Sequence, residues 1–134
     1  NIWAAGDCAN LLFKGKRIRL ESVQNAIDQA ECVAENIMGG AKEYKPNPWF
    51  WSDQYSTKLQ IAGLNIGYDK IITRAENEET VSFWYFKNEE LLAVDAMNDP
   101  RSYMVGKRLI EMGISPDLKA VGDKNFNLKL LLKP

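Results

Sequence analysis

Four strand-like runs follow one another between residues 57 and 97 with no helical pattern between them, and this narrows the choice of fold. TKLQIAGL (57–64) alternates, with Leu59 and Ile61 on one face, and DKIITRA (69–75) follows a turn that contains Gly67. TVSFWYF (80–86) is β-branched and aromatic, with ENEE before it and KNEE after it as turns, and LLAVDAM (91–97) is the fourth run. Strands in succession, with the helices set apart from them, are the signature of an antiparallel α+β domain and not of a βαβ repeat. Asn98-Asp99-Pro100 caps a helix over PRSYMVGKRLIEM (100–112), which Gly113 ends. Pro116-Asp117 opens a short helix or turn, and FNLKLLL (126–132) closes the chain.

Upstream of the strands the period changes. Val23, Ala26, Ile27, Ala30, Ala34 and Ile37 recur at helical spacing, which predicts an amphipathic helix from Ser22 to Met38. Ser22 suits the N-cap and Gly39-Gly40 the stop. IWAA (2–5) reads as a short buried strand ending at Gly6-Asp7, and NLLFKGKRIRL (10–20) as a loop or irregular hairpin. The segment AKEYKPNPWFWSDQY (41–55) holds two prolines and reads as a connector. A boundary near residue 45 therefore divides the chain into 1–44 and 45–134.

Composition excludes several classes of function. A net charge of −1 over 134 residues is wrong for a protein that displaces counterions from nucleic acid. The chain has no histidine, so Ser-His and Cys-His catalysis and His-ligated metals are excluded for it. Its two cysteines, Cys8 and Cys32, form neither a CxxC pair nor a disulfide framework, and read as small buried apolar residues. No apolar run approaches the roughly 18 residues that span a bilayer, and no signal peptide is visible, so the expectation is a cytoplasmic protein without a membrane partner. NIWAAGD has no initiator Met and starts inside a strand-like run, which suggests that the N-terminal part of a larger protein is missing.

Two features could carry chemistry. A strand ending in Gly6-Asp7 places a carboxylate at the edge where α/β folds bind ligands, although Asp is also a favoured turn former. The helix beginning after Ser22 exposes unpaired N–H groups and the positive end of its macrodipole, so Val23 or Gln24 N–H could receive an electron-rich ligand atom; the plainer assignment is a solvated, capped helix end. The remaining features have simpler readings. VSFWYF could stack single-stranded RNA, but with acidic flanks it reads as a buried sheet face, and Lys107-Arg108 and RIR (17–19) read as solvated charge or as contacts for an acidic partner.

In order, IWAAGDCA, RIRLESVQNAIDQAECVAENIMG, PWFWSDQY, KLQIAGL, GYD, LLAVDAMNDP and MVGKRLI together resemble the ferredoxin reductases of the bacterial oxygenase and cytochrome P450 type. The resemblance runs over essentially the whole chain, with ESVQNAIDQA and PWFWSDQY as its specific parts. It implies a parent flavoprotein in which hydride passes from NAD(P)H to FAD and single electrons pass to a [2Fe–2S] ferredoxin. Residues 1–44 would then be the last strand and helix of an FAD-binding α/β domain, and 45–134 the C-terminal, interface-type domain. It implies that Asp7 binds the ribityl chain of FAD, that Val23, with Ser22 and Gln24 beside it, meets the pyrimidine side of the flavin, and that Trp49 and Trp51 line the flavin or touch the ferredoxin. No catalytic residue and no metal ligand is assigned within the chain.

Neither GxGxxG fingerprint of the family is present, since Gly39-Gly40 is followed by Ala41-Lys42, so this piece alone is expected neither to hold FAD tightly nor to turn over. With no His and no CxxC, electron transfer to a metal centre is favoured over thiol chemistry. The competing expectations are a non-catalytic protein-association module and the arm of a rubredoxin- or nitrite-type reductase. Without the rest of an FAD domain, IWAA and the Val23/Ile27 stripe are expected to be exposed. A homodimer, or self-association that is an artefact of that exposure, is the expected consequence.

Overall fold

The structure, a computed structural model, describes residues 2–133. The chain divides into two compact units between Phe50 and Trp51, inside a strand, so the division falls later than the expected boundary near 45.

In the first unit, β1 (Leu11–Phe13) and β2 (Lys16–Ile18) pair as an antiparallel hairpin, with Lys14 and Gly15 at positive φ in its two-residue turn. The irregular loop-or-hairpin expectation for 10–20 therefore resolves as a regular hairpin. Helix α1 runs Val23–Ile37, with Ser22 as N-cap and Met38 as C-cap. Residues 2–5 are not a buried strand: they pair with no other segment among the described residues, and Ile2 is fully exposed. A strand needs a neighbour to satisfy its backbone groups, and the first unit offers none at that place.

Helix α1 has its expected period, but the side facing the rest of its unit is polar. Asn25, Gln29 and Cys32 are buried, whereas Val23, Ile27 and Ile37 are exposed, Val23 by 60%. The expected exposure of the Val23/Ile27 stripe is thus observed. Cys32 is buried as expected, but Cys8 is exposed in its turn and is no core residue.

The second unit is built on a five-stranded sheet in the order β3-β4-β7-β6-β5. These strands are β3 (Trp49–Gln54), β4 (Thr57–Gly63), β5 (Lys70–Ala75), β6 (Val81–Lys87) and β7 (Glu90–Met97). The four expected runs are all strands, paired antiparallel where β4 meets β7 and where β6 meets β5 and β7. The fifth strand, β3, lies in the stretch read as a connector. Pro46 and Pro48 end just before it, and Trp49–Gln54 is free of proline, so the turn signal stops where the strand begins.

One face of this sheet carries the core. Helix α2 (Pro100–Met112), the short helix α3 (Leu118–Gly122) and a 3₁₀ turn at Leu128–Leu132 surround Trp84, Phe86, Leu91 and Val94 with Val105, Leu109, Val121 and Leu128. Asp99 caps α2 by accepting the Ser102 N–H at 2.9 Å, and Gly113 closes it as expected. Gly106 lets α2 approach β7 closely: a Cβ there would lie 2.5 Å from Val94 Cγ2. The buried Trp84 indole N–H is satisfied by Ser82 Oγ at 3.2 Å.

The C-terminal segment is held by one side chain. Arg74 on β5 is only 3% exposed, and its guanidinium donates to the carbonyls of Val121, Asp123, Lys124 and Phe126. Replacing it with Met should leave these carbonyls without their donor and lower stability by about 3 kcal/mol in a urea titration. Arg74→Lys should recover only part of this, because an ammonium lacks the planar fork that serves several acceptors at once.

On the sheet face opposite the core, the Tyr85 hydroxyl donates to Asp95 Oδ2 at 2.9 Å. Burial raises the Asp95 carboxyl above its ordinary value of 3.8, and the Tyr85 bond offsets this only in part. The folded state therefore holds this proton to higher pH than the unfolded chain does. Stability is expected to fall as pH rises from about 3.8 through the raised value, and then to level off for this group. Asp95→Asn should remove that fall from a pH series of unfolding midpoints.

Candidate functional site

The first unit brings the Gly6–Asp7 turn onto α1. Gly6 has φ of +84°, which a side chain would resist, and the turn closes through Ala9 N–H to the Gly6 carbonyl at 2.9 Å. The Gly6 N–H donates to Oε1 of buried Gln29 at 2.8 Å. An added Cβ on Gly6 would rest 3.8 Å from Ala26 Cβ, so the turn lies against the N-terminal half of the helix. The Asp7 carboxylate is left exposed beside it.

Helix α1 begins with defined polarity. Ser22 Oγ accepts the Asn25 N–H at 3.3 Å, and the Ser22 carbonyl accepts the Ala26 N–H at 3.0 Å. The N–H groups of Val23 and Gln24 have no partner among the described residues. Two donors at a helix start, aligned with the macrodipole, favour an electron-rich atom placed on them. The Gln24 side chain is turned to Asp28, with Nε2 donating to Oδ1 at 2.6 Å, so Gln24 offers its backbone and not its amide.

The segment entering this helix is fixed by Asn25. Its Nδ2 donates to the Leu20 carbonyl at 2.8 Å, and its Oδ1 accepts the Tyr44 hydroxyl at 2.8 Å. Burial, with the Asp28 charge adding to it, pushes the Tyr44 phenol up to about 12, so it remains a donor throughout the neutral range. Asn36 repeats the arrangement a few turns on: it donates to the Lys42 carbonyl at 2.9 Å and accepts the Lys42 N–H at 2.7 Å.

The structure therefore brings Asp7, Ser22, Val23 and Gln24 into one unit, with the turn and the helix start joined through Gln29. Trp49 and Trp51 alternate along β3 and share one face of that strand; Trp49 is half-buried and Trp51 is 37% exposed. Trp49 belongs to the first unit and Trp51 to the second. The positioning residues that the sequence reading passed over are Asn25, Gln29 and Tyr44. The signal for Asn25 and Gln29 was present as amides four residues apart on the side of α1 that does not carry the apolar stripe. Among the described residues there is no cluster that could hold a metal ion, and no helix long and apolar enough to cross a membrane.

An antiparallel sheet with its helices on one face is the architecture of a reductase C-terminal region, and comparison with known proteins agrees. The family model described as "Reductase C-terminal" matches residues 49–132, and the chain belongs to this family. It is 43% identical over 137 residues to rhodocoxin reductase of Rhodococcus erythropolis, an alignment covering 98% of this chain and 32% of that protein. The crystal structure of the ferredoxin reductase for the CYP199A2 system of Rhodopseudomonas palustris superposes with a TM-score of 0.84 at 39% identity, over 94% of this chain and 32% of that one. The covalent putidaredoxin reductase–putidaredoxin complex gives a TM-score of 0.86 at 34% identity, over 96% and 31%. The chain thus spans about a third of the length of the relatives it matches.

Asn25→Ala should leave the Leu20 carbonyl and the Tyr44 hydroxyl without their partner and lower stability by about 2 kcal/mol. Tyr44→Phe should cost about 1 kcal/mol, because only one bond is lost and the ring remains. Chemical denaturation of the two variants beside the unaltered protein checks both the values and their order.

Proposed function

We propose that this chain is the C-terminal portion of an FAD-dependent NAD(P)H:ferredoxin reductase, and that its first unit forms one wall of the flavin site. The observation that carries this reading is the pinning of the Gly6–Asp7 turn to a helix whose first N–H groups are unpartnered, in a chain of the reductase family. These groups fit the flavin nucleotide. A carboxylate suits the hydroxyls of a ribityl chain, and the start of α1 suits an edge that becomes electron-rich on reduction. FAD, when bound, couples a two-electron donor, NAD(P)H, to one-electron transfer into a [2Fe–2S] ferredoxin.

In this reading Asp7 accepts hydrogen bonds from the ribityl chain. The N–H groups of Val23 and Gln24 face the pyrimidine side of the flavin, and Ser22 sets their direction by capping the helix. Trp49 and Trp51 lie at the flavin or at the ferredoxin-facing surface. Residues 1–44 complete an FAD-binding domain and 45–134 form the C-terminal domain; the family match beginning at residue 49 supports a boundary in this stretch. The chain by itself contains no GxGxxG and does not turn over. The intact reductase works in the cytoplasm, where NAD(P)H is supplied, and two free cysteines suit that compartment.

The intact reductase should purify yellow; a colourless preparation would remove this reading. Asp7→Ala in that protein should weaken FAD retention about 10- to 100-fold, the equivalent of about 1.5–3 kcal/mol for a charge-assisted hydrogen bond, as read by flavin release on gel filtration and by FAD titration. Unchanged retention would remove Asp7 from the site.

A further inference from the structure

The turn that carries Asp7 and the start of α1 are separate pieces of chain, and the Gln29 side chain joins them. Gln29 is 5% exposed, and its Oε1 accepts the Gly6 N–H at 2.8 Å. The donor is a backbone N–H, so only the oxygen end of the amide can meet it, and the orientation of the amide is fixed. Gly6 rests against Ala26, where an added Cβ would lie 3.8 Å from the Ala26 Cβ. Ala26 N–H in turn donates at 3.0 Å to the carbonyl of Ser22, the residue that caps the helix. Gly6, Ala26 and Ser22 thus form a short line from the Asp7 turn to the N–H groups of Val23 and Gln24. The Asp7 carboxylate makes no hydrogen bond or ion pair among the described residues, so it does not hold the turn in place; Gln29 does.

We infer that Gln29 is a positioning residue for the redox step: it sets the spacing between the Asp7 carboxylate and the N–H groups of Val23 and Gln24, and through that spacing the preference of the site for reduced over oxidised flavin. This rests on the reading proposed above. There Asp7 holds the ribityl chain, and the helix start meets the ring attached to that chain. The distance from turn to helix then decides how closely the ring approaches the two N–H groups. Hydride from NAD(P)H brings the ring one proton and two electrons, leaves NAD(P)+ behind, and adds one negative charge to the ring. A neutral edge gains an ordinary hydrogen bond from an N–H, whereas an anionic edge gains a charge-assisted one roughly twice as strong. A displaced helix start therefore costs the reduced form more than the oxidised form. A hydrogen bond suits this task better than an apolar contact, because it holds only over a narrow range of distance and angle, whereas apolar attraction is non-directional. The tether is also distinct from the cap. Ser22 and Asn25 fix the direction of the helix start, and Gln29 fixes what stands opposite it.

The test is the midpoint potential of the flavin in the full-length reductase, read by anaerobic titration against a reference dye. Gln29→Leu keeps a side chain of similar size and helix propensity but offers the Gly6 N–H no acceptor. It should lower the preference for reduced over oxidised FAD about ten-fold, which for a two-electron couple is a potential lower by about 30 mV. Arg74→Met destabilises the second unit and controls for a structural effect alone: it should lower the urea midpoint and leave the potential unchanged. A Gln29→Leu potential equal to that of the unaltered reductase overturns the inference, as does one moved no further than by Arg74→Met. Where Gln29→Leu does not fold or does not hold flavin, the unaltered reductase decides. Coupling is reciprocal, so a tether that favours reduced flavin must itself be favoured by reduction. Hydrogen exchange of the Gly6 N–H should then slow about ten-fold when the flavin is reduced, and equal exchange in the two states overturns the inference. A colourless reductase fails the reading beneath the inference, whereas a yellow one with an unchanged potential fails the inference alone.

Discussion

The second unit depends on a buried cation that is held by carbonyls. The segment from Val121 to Phe126 leaves a five-residue helix and turns back towards the core, so several of its carbonyls have no helical or ladder donor. Arg74 meets them with one planar group, Nη1 reaching Val121 and Asp123, and Nη2 reaching Lys124 at 2.9 Å and Phe126 at 3.0 Å. No carboxylate among the described residues pairs with it, so the compensation for burying this charge comes from oriented backbone dipoles. The consequence is spatial. With this loop fastened to β5, Val121 and Leu128 lie over Trp84 and Phe86 and complete the core that α2 begins.

In the first unit the same demand, that buried backbone groups be satisfied, turns α1 against its own hydrophobic pattern. The surfaces available to it within the unit are the Gly6 turn, the Leu20 carbonyl and the Lys42–Tyr44 strand of chain, and these present N–H, C=O and hydroxyl groups. Asn25, Gln29 and Asn36 satisfy them, and the apolar side is left outside. A polar buried face of this kind contributes less than an apolar one would, but it sets position closely, because Asn25 and Asn36 each engage both ends of the amide and Gln29 engages its oxygen. Position is what a helix start needs if its first N–H groups are to act on a ligand atom.

Much of this was legible in the chain. The strands β4 to β7, the N-caps Ser22 and Asp99, and the stop at Gly113 follow from local residue chemistry that tertiary context did not override. Three features were not legible. The strand β3 hides in a proline-rich stretch because its partner supplies the order that its composition does not signal. The 2–5 run looks like a strand by residue type, but strand formation is a property of pairs, and no pair is made there. The burial of Arg74 depends on carbonyls about fifty residues further along, and nothing local distinguishes this arginine from the exposed ones. Of the candidate site, Asp7 and the helix start could be named in advance, whereas the amides that join them could not, since Gln29 finds Gly6 only once the turn and the helix are folded together.

Apolar surface left open in both units has a common physical origin. The stripe Val23, Ile27 and Ile37 and the sheet face of Phe83 and Met97 are each patterned for burial, and neither is covered by the helices of its own unit. A chain selected to fold alone would break such surfaces with charge, since exposed apolar patches promote association. Here Glu76, Glu78, Glu79 and Glu89 are exposed in the turns, while β6 between them runs VSFWYF before its terminal Lys87. Asp95 is a charged residue on the face of Phe83 and Met97, and its environment is informative: burial already raises its carboxyl, and the Tyr85 hydroxyl occupies one of its oxygens. A carboxyl half withdrawn from water at the centre of an apolar sheet face is costly to leave and costly to cover, unless the covering surface brings a donor to it.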